Sequence, residues 1–248
     1  MLEDRVILVT GGSRGIGAAT ARLLADHGAA VAVNYLRDEA AAGAVVEEIR
    51  SRGGRAVAVR GDVRDAAAVQ GVVAHAREAL GPIDTLVSNA AIGFPMKPFV
   101  EYGWEDFAAK LDGELRAAFH CCQAVIPGMR ERGSGCIIAV SSTLSRRAGP
   151  GFSAHTTAKA GLDGLMRALA LELGPAGIRV NVVAPALTET DATAGLPEGV
   201  RQATVRGTPL SRLGQPADVA GAVLMLASDA ARFVTGTYLP VNGGAYMP

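Results

Sequence analysis

The stretch Val6-Ile7-Leu8-Val9-Thr10-Gly11-Gly12-Ser13-Arg14-Gly15-Ile16-Gly17 decides how the rest of the chain is read. Four apolar residues make a buried strand, and the glycines that follow turn the chain into a helix. The first N–H groups of a helix have no partner within it. A strand that turns directly into a helix therefore aims donors and a positive dipole end at an anion. Gly11, Gly15 and Gly17 let the backbone approach a pyrophosphate and let the helix pack closely on the strand. Ser13, Arg14 and Ile16 lie in the same cradle. The spacing is G-x-x-x-G-x-G rather than the commoner G-x-G-x-x-G, so the dinucleotide reading needs support from the rest of the chain.

That support comes from the pattern downstream. Strands are expected at Val31–Tyr35, Ala56–Val59, Thr85–Ser88, Cys136–Val140, Arg179–Ala184 and Tyr238–Val241. Helices are expected near Asp38–Arg52, Asp65–Leu80, Trp104–Arg132, Ser153–Leu173 and Ala217–Ala227. Short apolar strands alternating with helices imply right-handed crossovers and a parallel sheet covered on both faces. The fold expected is α/β: one domain spanning residues 1–248, a Rossmann-like, doubly wound parallel sheet of about seven strands. Residues 186–215 lack periodicity and are rich in Thr, Gly and Pro. They follow a strand's carboxyl end, where open α/β sheets bind ligands, and are read as a substrate lid.

Composition narrows the function. Of 248 residues, 49% are hydrophobic and 19% charged, enough for a large core. Lys plus Arg and Asp plus Glu are equal at 24 each, which argues against nucleic acid or an anionic membrane as partner. The N-terminus does not read as a signal peptide, and no apolar run approaches a bilayer span. Cys121, Cys122 and Cys136 have no metal-like spacing, so no metal is expected and the thiols read as reduced and cytoplasmic.

Further residues fit a nucleotide stretched along the sheet edge. Asp62 and Val63 follow the third strand, where a carboxylate can accept from an adenine amino group. Asn89 and Ala90 follow the fourth, where small residues leave room for a ribose. Pro185 and Thr188 follow the sixth. Tyr35 and Arg37 lie at the end of the second strand, where an acid would grip a free ribose 2′-hydroxyl. With Arg37 there and Arg14 able to converge on it, two guanidinium groups suit a 2′-phosphate, so the cofactor expected is NADP(H).

On these residues, with Ser141-Ser142, Lys159-Ala160-Gly161, Arg179-Val180-Asn181 and Pro240-Val241-Asn242-Gly243-Gly244, the chain resembles the short-chain dehydrogenase/reductase family. Within it, the resemblance is greatest to the 3-oxoacyl-acyl-carrier-protein reductases, and it covers essentially the whole chain. The resemblance implies a Tyr-x-x-x-Lys pair on a helix, with a Ser thirteen residues before the Tyr. Ser and Tyr hold the substrate oxygen, Tyr handles the proton, and Lys lowers the Tyr pKa and holds the nicotinamide ribose. It also implies a homo-oligomer, dimer or tetramer, paired through the two long helices, and a small-molecule or carrier-bound acyl substrate.

Carried over, Ser142 is the serine and Lys159 the lysine, which also belongs to the cofactor set. The tyrosine position is His155. The enoyl reductases of the family place their Tyr with six residues before the Lys, and here that position is Phe152. The Asn that holds a water near the Lys in the family corresponds to Glu114, or to Asp112 in another register. Imidazole titrates near neutrality, so His155 can act as acid or base without the large shift that phenol needs. Lys159 should lower its pKa, whereas an inward Glu114 should raise it and orient the ring. Arg146 and Arg147 are expected near the pocket mouth, either to meet an anion or simply as solvated surface.

Three functions follow. The first is an NADP(H)-dependent ketoreductase with a Ser142–His155–Lys159 site. The second is non-redox dehydration, isomerisation or cyclisation by a His155–Glu114 pair. The third is a catalytically silent nucleotide-binding subunit. Fold alone does not choose among them.

Overall fold

A computed structural model describes residues 1–247. Its strands are β1 (Val6–Val9), β2 (Ala30–Tyr35), β3 (Arg55–Arg60), β4 (Thr85–Ser88), β5 (Gly135–Val140), β6 (Ile178–Pro185) and β7 (Tyr238–Val241). All seven lie in one sheet of order β3-β2-β1-β4-β5-β6-β7, and every neighbouring pair is parallel. The helices are α1 (Gly15–Asp26), α2 (Glu39–Ser51), α3 (Ala66–Leu80), α4 (Trp104–Arg132), α5 (Ser153–Leu173), α6 (Glu198–Arg206) and α7 (Pro216–Ala227).

Alternation along β1 shows why the sheet needs both helical layers. Ile7 and Val9 pack into the core built with α1, α2 and α7, while Val6 and Leu8 pack into the core built with α3, α4 and α5. A strand buried on both faces must be apolar throughout, hence the unbroken Val-Ile-Leu-Val. Helix starts follow local chemistry. The Asp38 carboxylate accepts from the Ala41 N–H and that of Asp65 from the Ala68 N–H, each satisfying an N–H left over at a helix start.

One helix was not expected. Within residues 186–215, α6 forms over Glu198–Arg206 with no buried residue. It is only nine residues long and polar on the whole, so it lacks the run of apolar positions by which the other helices are recognised. The same segment is tethered by a parallel bridge between Thr188 and Gly214. Strand order reverses between β1 and β4, so their carboxyl ends open the crevice where such sheets bind ligands.

Candidate active site

The loop after β1 is held by β2 and β4 rather than by itself. The Gly11 N–H donates to the Asn34 side-chain oxygen at 3.3 Å, and the Gly12 N–H donates to the Asn34 carbonyl at 2.8 Å. Asn89, past β4, donates its side-chain amide to the carbonyls of Thr10 and Gly11 at 2.9 and 3.1 Å. The Thr10 hydroxyl accepts from the Asn89 and Ala90 N–H groups in return. Asn89 is thus a lock on the loop.

Gly11 and Gly15 have φ of +60° and +52°, a left-handed backbone that favours glycine. At Gly17 the need is space: a Cβ there would stand 2.3 Å from the Gly11 carbonyl oxygen. The cradle keeps its shape because these positions carry no side chain to collide with the loop and its Asn89 lock. Its residues therefore fit a dinucleotide. Thr190 completes one wall, its methyl 3.2 Å from where a Gly15 Cβ would be, so the segment after β6 touches the loop.

The remaining nucleotide candidates line the same edge with different partners. Arg14 lies 3.7 Å from Asp38, and Arg37 is exposed. Asp62 is gripped by Arg64 at 2.6 Å, and this hydrogen bond, with Arg37 adding to it, lowers its carboxyl pKa despite some burial. Val63 is buried beside it. Tyr35 is 7% exposed and packs in the core with Val33 and Val45. Pro185 ends β6, its carbonyl accepting from the Thr143 hydroxyl at 3.3 Å, and Thr188 is buried with its hydroxyl on the Ala186 carbonyl.

Ser142, His155, Lys159 and Glu114 lie at the carboxyl side of β4 and β5. Ser142 follows β5 in extended conformation, and its Oγ accepts from the Leu144 N–H at 3.2 Å. His155 and Lys159 are one turn apart on α5, which puts both on one helix face. The Lys159 ammonium donates to the Val140 carbonyl at 2.7 Å and reaches Glu114 Oε1 at 2.5 Å. The other oxygen of Glu114 takes the Lys110 ammonium, also at 2.5 Å. Lys110 donates as well to the Ile92 carbonyl at 2.7 Å. Asp112, the alternative register, is paired with Arg116 on the surface.

A carboxylate between two ammonium groups has a definite charge. Burial alone would raise the Glu114 pKa, but Lys159 and Lys110 outweigh it and bring it to about 2. His155 goes the other way from an ordinary imidazole. Burial, then Lys110 and Lys159, outweigh the opposing Glu114 and lower it to about 4, so the ring is neutral at pH 7. Glu114 does push the His155 pKa up, as expected, but is outweighed; it does not orient the ring, because both of its oxygens are taken by lysines. The ring is oriented instead by Phe94, stacked at 5.0 Å between centroids and 19° between planes. His155 Nδ1 is buried and has no hydrogen-bond partner among the described residues.

A family model described as enoyl-(acyl carrier protein) reductase matches residues 11–246. The chain belongs to the short-chain dehydrogenase/reductase family. It is 39% identical to a 3-oxoacyl-(acyl-carrier-protein) reductase, FabG, of Staphylococcus aureus, over 100% of both chains. It is 40% identical to an L-rhamnose 1-dehydrogenase (NAD(P)(+)) of Sphingomonas sp., over 100% of this chain and 98% of the relative. Among solved structures, a 7α-hydroxysteroid dehydrogenase complexed with NADH and 7-oxo glycochenodeoxycholic acid superposes with a TM-score of 0.94. The two are 36% identical, with 98% of this chain and 94% of the other covered. The chain is accordingly an oxidoreductase of the short-chain dehydrogenase/reductase type.

In this short-chain dehydrogenase/reductase the Tyr238 hydroxyl donates to the Ser142 carbonyl at 3.1 Å. The Tyr102 hydroxyl donates to the Pro95 carbonyl, and Tyr246 sits in the tail with its carbonyl accepting from Asn242. Arg146 lies over the Tyr238 ring at 3.6 Å, and Arg147 donates to the Ala245 carbonyl. Both arginines are exposed and make these contacts within the fold. Sequence reasoning missed Lys110 and Phe94. The i, i+4 spacing of Lys110 and Glu114 was the available signal for the first; Phe94, in a loop, offered none. No cluster able to hold a metal occurs among the described residues, and no described helix is long and apolar enough to cross a membrane.

Proposed function

We propose that the chain is an NADP(H)-dependent oxidoreductase interconverting a ketone, including a 3-oxoacyl thioester, and its secondary alcohol through Ser142, His155 and Lys159. The observation that carries this reading is His155 one turn from Lys159, its ring fixed by Phe94 and its Nδ1 unpartnered. A bound nicotinamide nucleotide would supply the two-electron exchange, held by Gly11, Ser13, Gly15, Ile16 and Gly17 at its pyrophosphate. Arg14 and Arg37 would take a 2′-phosphate, with Asp62 and Val63 at the adenine and Pro185 and Thr188 near the nicotinamide.

Ser142 Oγ donates to the substrate oxygen. His155 exchanges the hydroxyl proton with that oxygen, directly or through one water, since imidazole is shorter than phenol. Lys159, fixed between Glu114 and Val140, keeps a third N–H for a ribose hydroxyl. Residues 186–215, which already touch the phosphate loop through Thr190, act as the lid. The relatives' names favour small-molecule or carrier-bound acyl substrates. Pairing of α4 and α5 with a second copy makes a dimer or tetramer. Three buried free thiols suit a reducing cytoplasm.

The test follows nicotinamide absorbance with a panel of ketones, 3-oxoacyl thioesters and secondary alcohols. His155→Ala should lower kcat/KM by about 10²-fold or more. Product formed without change in the nucleotide would instead support non-redox chemistry. An inert wild type that gains activity as His155→Tyr would support a silent site.

A further inference from the structure

Lys110 is the member of the buried cluster that the chemistry above does not use. It is 1% exposed, and its ammonium donates to Glu114 and to the Ile92 carbonyl. The same ammonium stands 5.3 Å over the Phe94 ring, and that ring stacks on His155. Two ammonium groups against one carboxylate leave the cluster with one positive charge in excess. Among the described residues, no second carboxylate pairs with either lysine.

The charged groups bearing on His155 are Lys110 and Glu114 from α4 and Lys159 from its own helix. Its uncharged neighbours include Phe94 from the loop after β4 and Phe152 at the start of α5. Lys110 and Lys159 share one carboxylate, so one positive charge of the pair is uncompensated.

We propose that Lys110 is a positioning residue for His155: its ammonium, over the Phe94 ring that stacks on the imidazole, fixes the ring plane and adds to burial an uncompensated positive charge that opposes a second one on the ring. The proposal rests on the reading that His155 handles the substrate proton. Protonation would take away the free ring nitrogen that accepts an O–H proton, so the added charge extends that role to lower pH.

The test is an NMR pH titration of the full chain labelled in its histidines, with His155→Ala identifying the signal among His27, His75 and His120. In the wild type, His155 should stay neutral down to pH 5. Lys110→Met leaves a balanced Glu114–Lys159 pair and should raise the midpoint by about one pH unit. Lys110→Arg, which keeps the charge, should leave the midpoint low. Where Lys110→Met does not fold, Lys110→Gln and the wild-type titration decide. A wild-type ring titrating at the ordinary imidazole value overturns the proposal, as does a folded neutral variant with an unmoved midpoint. The titration needs no turnover. A shifted midpoint in a chain whose His155→Ala variant keeps full activity would thus sink the proton role of His155 and leave the control by Lys110 standing.

Discussion

Glu114 and Lys159 belong to different long helices, α4 and α5, yet their charged ends meet at 2.5 Å with almost no exposure to solvent. The contact fixes the lysine that the nucleotide would share and leaves His155 without the carboxylate it was expected to have. Removing one partner of a buried ion pair leaves the other uncompensated, which typically costs about 3–5 kcal/mol. Glu114→Gln strands two ammonium groups and should destabilise the fold by an amount of that order. Urea unfolding measures it, and the double variant Glu114→Gln with Lys110→Met should recover part of the loss. Equal stability of wild type and Glu114→Gln would refute the account.

Stability should fall with acid through one identifiable proton. In the folded chain burial and the two lysines hold the His155 pKa down to about 4, against about 6.5 for an ordinary imidazole. Between those values the unfolded chain binds the proton and the folded chain does not. The contribution is therefore fully present above pH 6.5 and is lost as pH falls toward 4, with a slope of at most about 1.4 kcal/mol per pH unit. Comparing wild type with His155→Gln by unfolding at pH 7 and pH 5 isolates it. The variant should lose less stability on going to pH 5.

Gly17→Ala tests the cradle. Its new methyl would stand 2.3 Å from the Gly11 carbonyl and 2.6 Å from the Asn89 amide, both part of the interlocked loop. Neither can retreat without breaking a hydrogen bond. The variant should lose nucleotide binding, read as nucleotide fluorescence enhancement, by at least about tenfold, with overpacking costing roughly 1–3 kcal/mol of stability. Gly71→Ala, where an added Cβ meets nothing within 4 Å, is the control.

Nucleotide choice turns on Asp38. Its carboxylate caps α2 and also lies 3.7 Å from Arg14. Asn caps as well as Asp, so Asp38→Asn keeps the helix start while freeing Arg14. The preference for NADPH over NADH should then rise, and Arg14→Ala with Arg37→Ala should lower it by about tenfold or more. Wild-type binding that favours NAD(H) would remove the basis for the 2′-phosphate assignment.

The layered fold was legible because its signals are local. Apolar strands such as Val6–Val9, capping aspartates such as Asp65 and the glycines after β1 each state their structure within a few residues. α6 escaped because it is short and polar, lying in a segment rich in Thr, Gly and Pro. In the site, Ser142, His155, Lys159 and Glu114 come from the family resemblance, carried onto the matching positions of this chain. What spacing could not give was the pairing across helices. A carboxylate facing inward has the same sequence whether it meets an imidazole or two lysines, and only packing decides which. Lys110 has the same ambiguity, since an i, i+4 Lys–Glu pair is usually a solvated surface pair and here is almost completely buried. Phe94 was invisible because loops carry no period.

The Tyr238 hydroxyl donates to the Ser142 carbonyl, and Arg147, close by, donates to Ala245. The end of the chain is therefore stitched to the serine's own turn. Substitutions that break either contact should therefore be felt in the turn that carries Ser142 as well as where they are made.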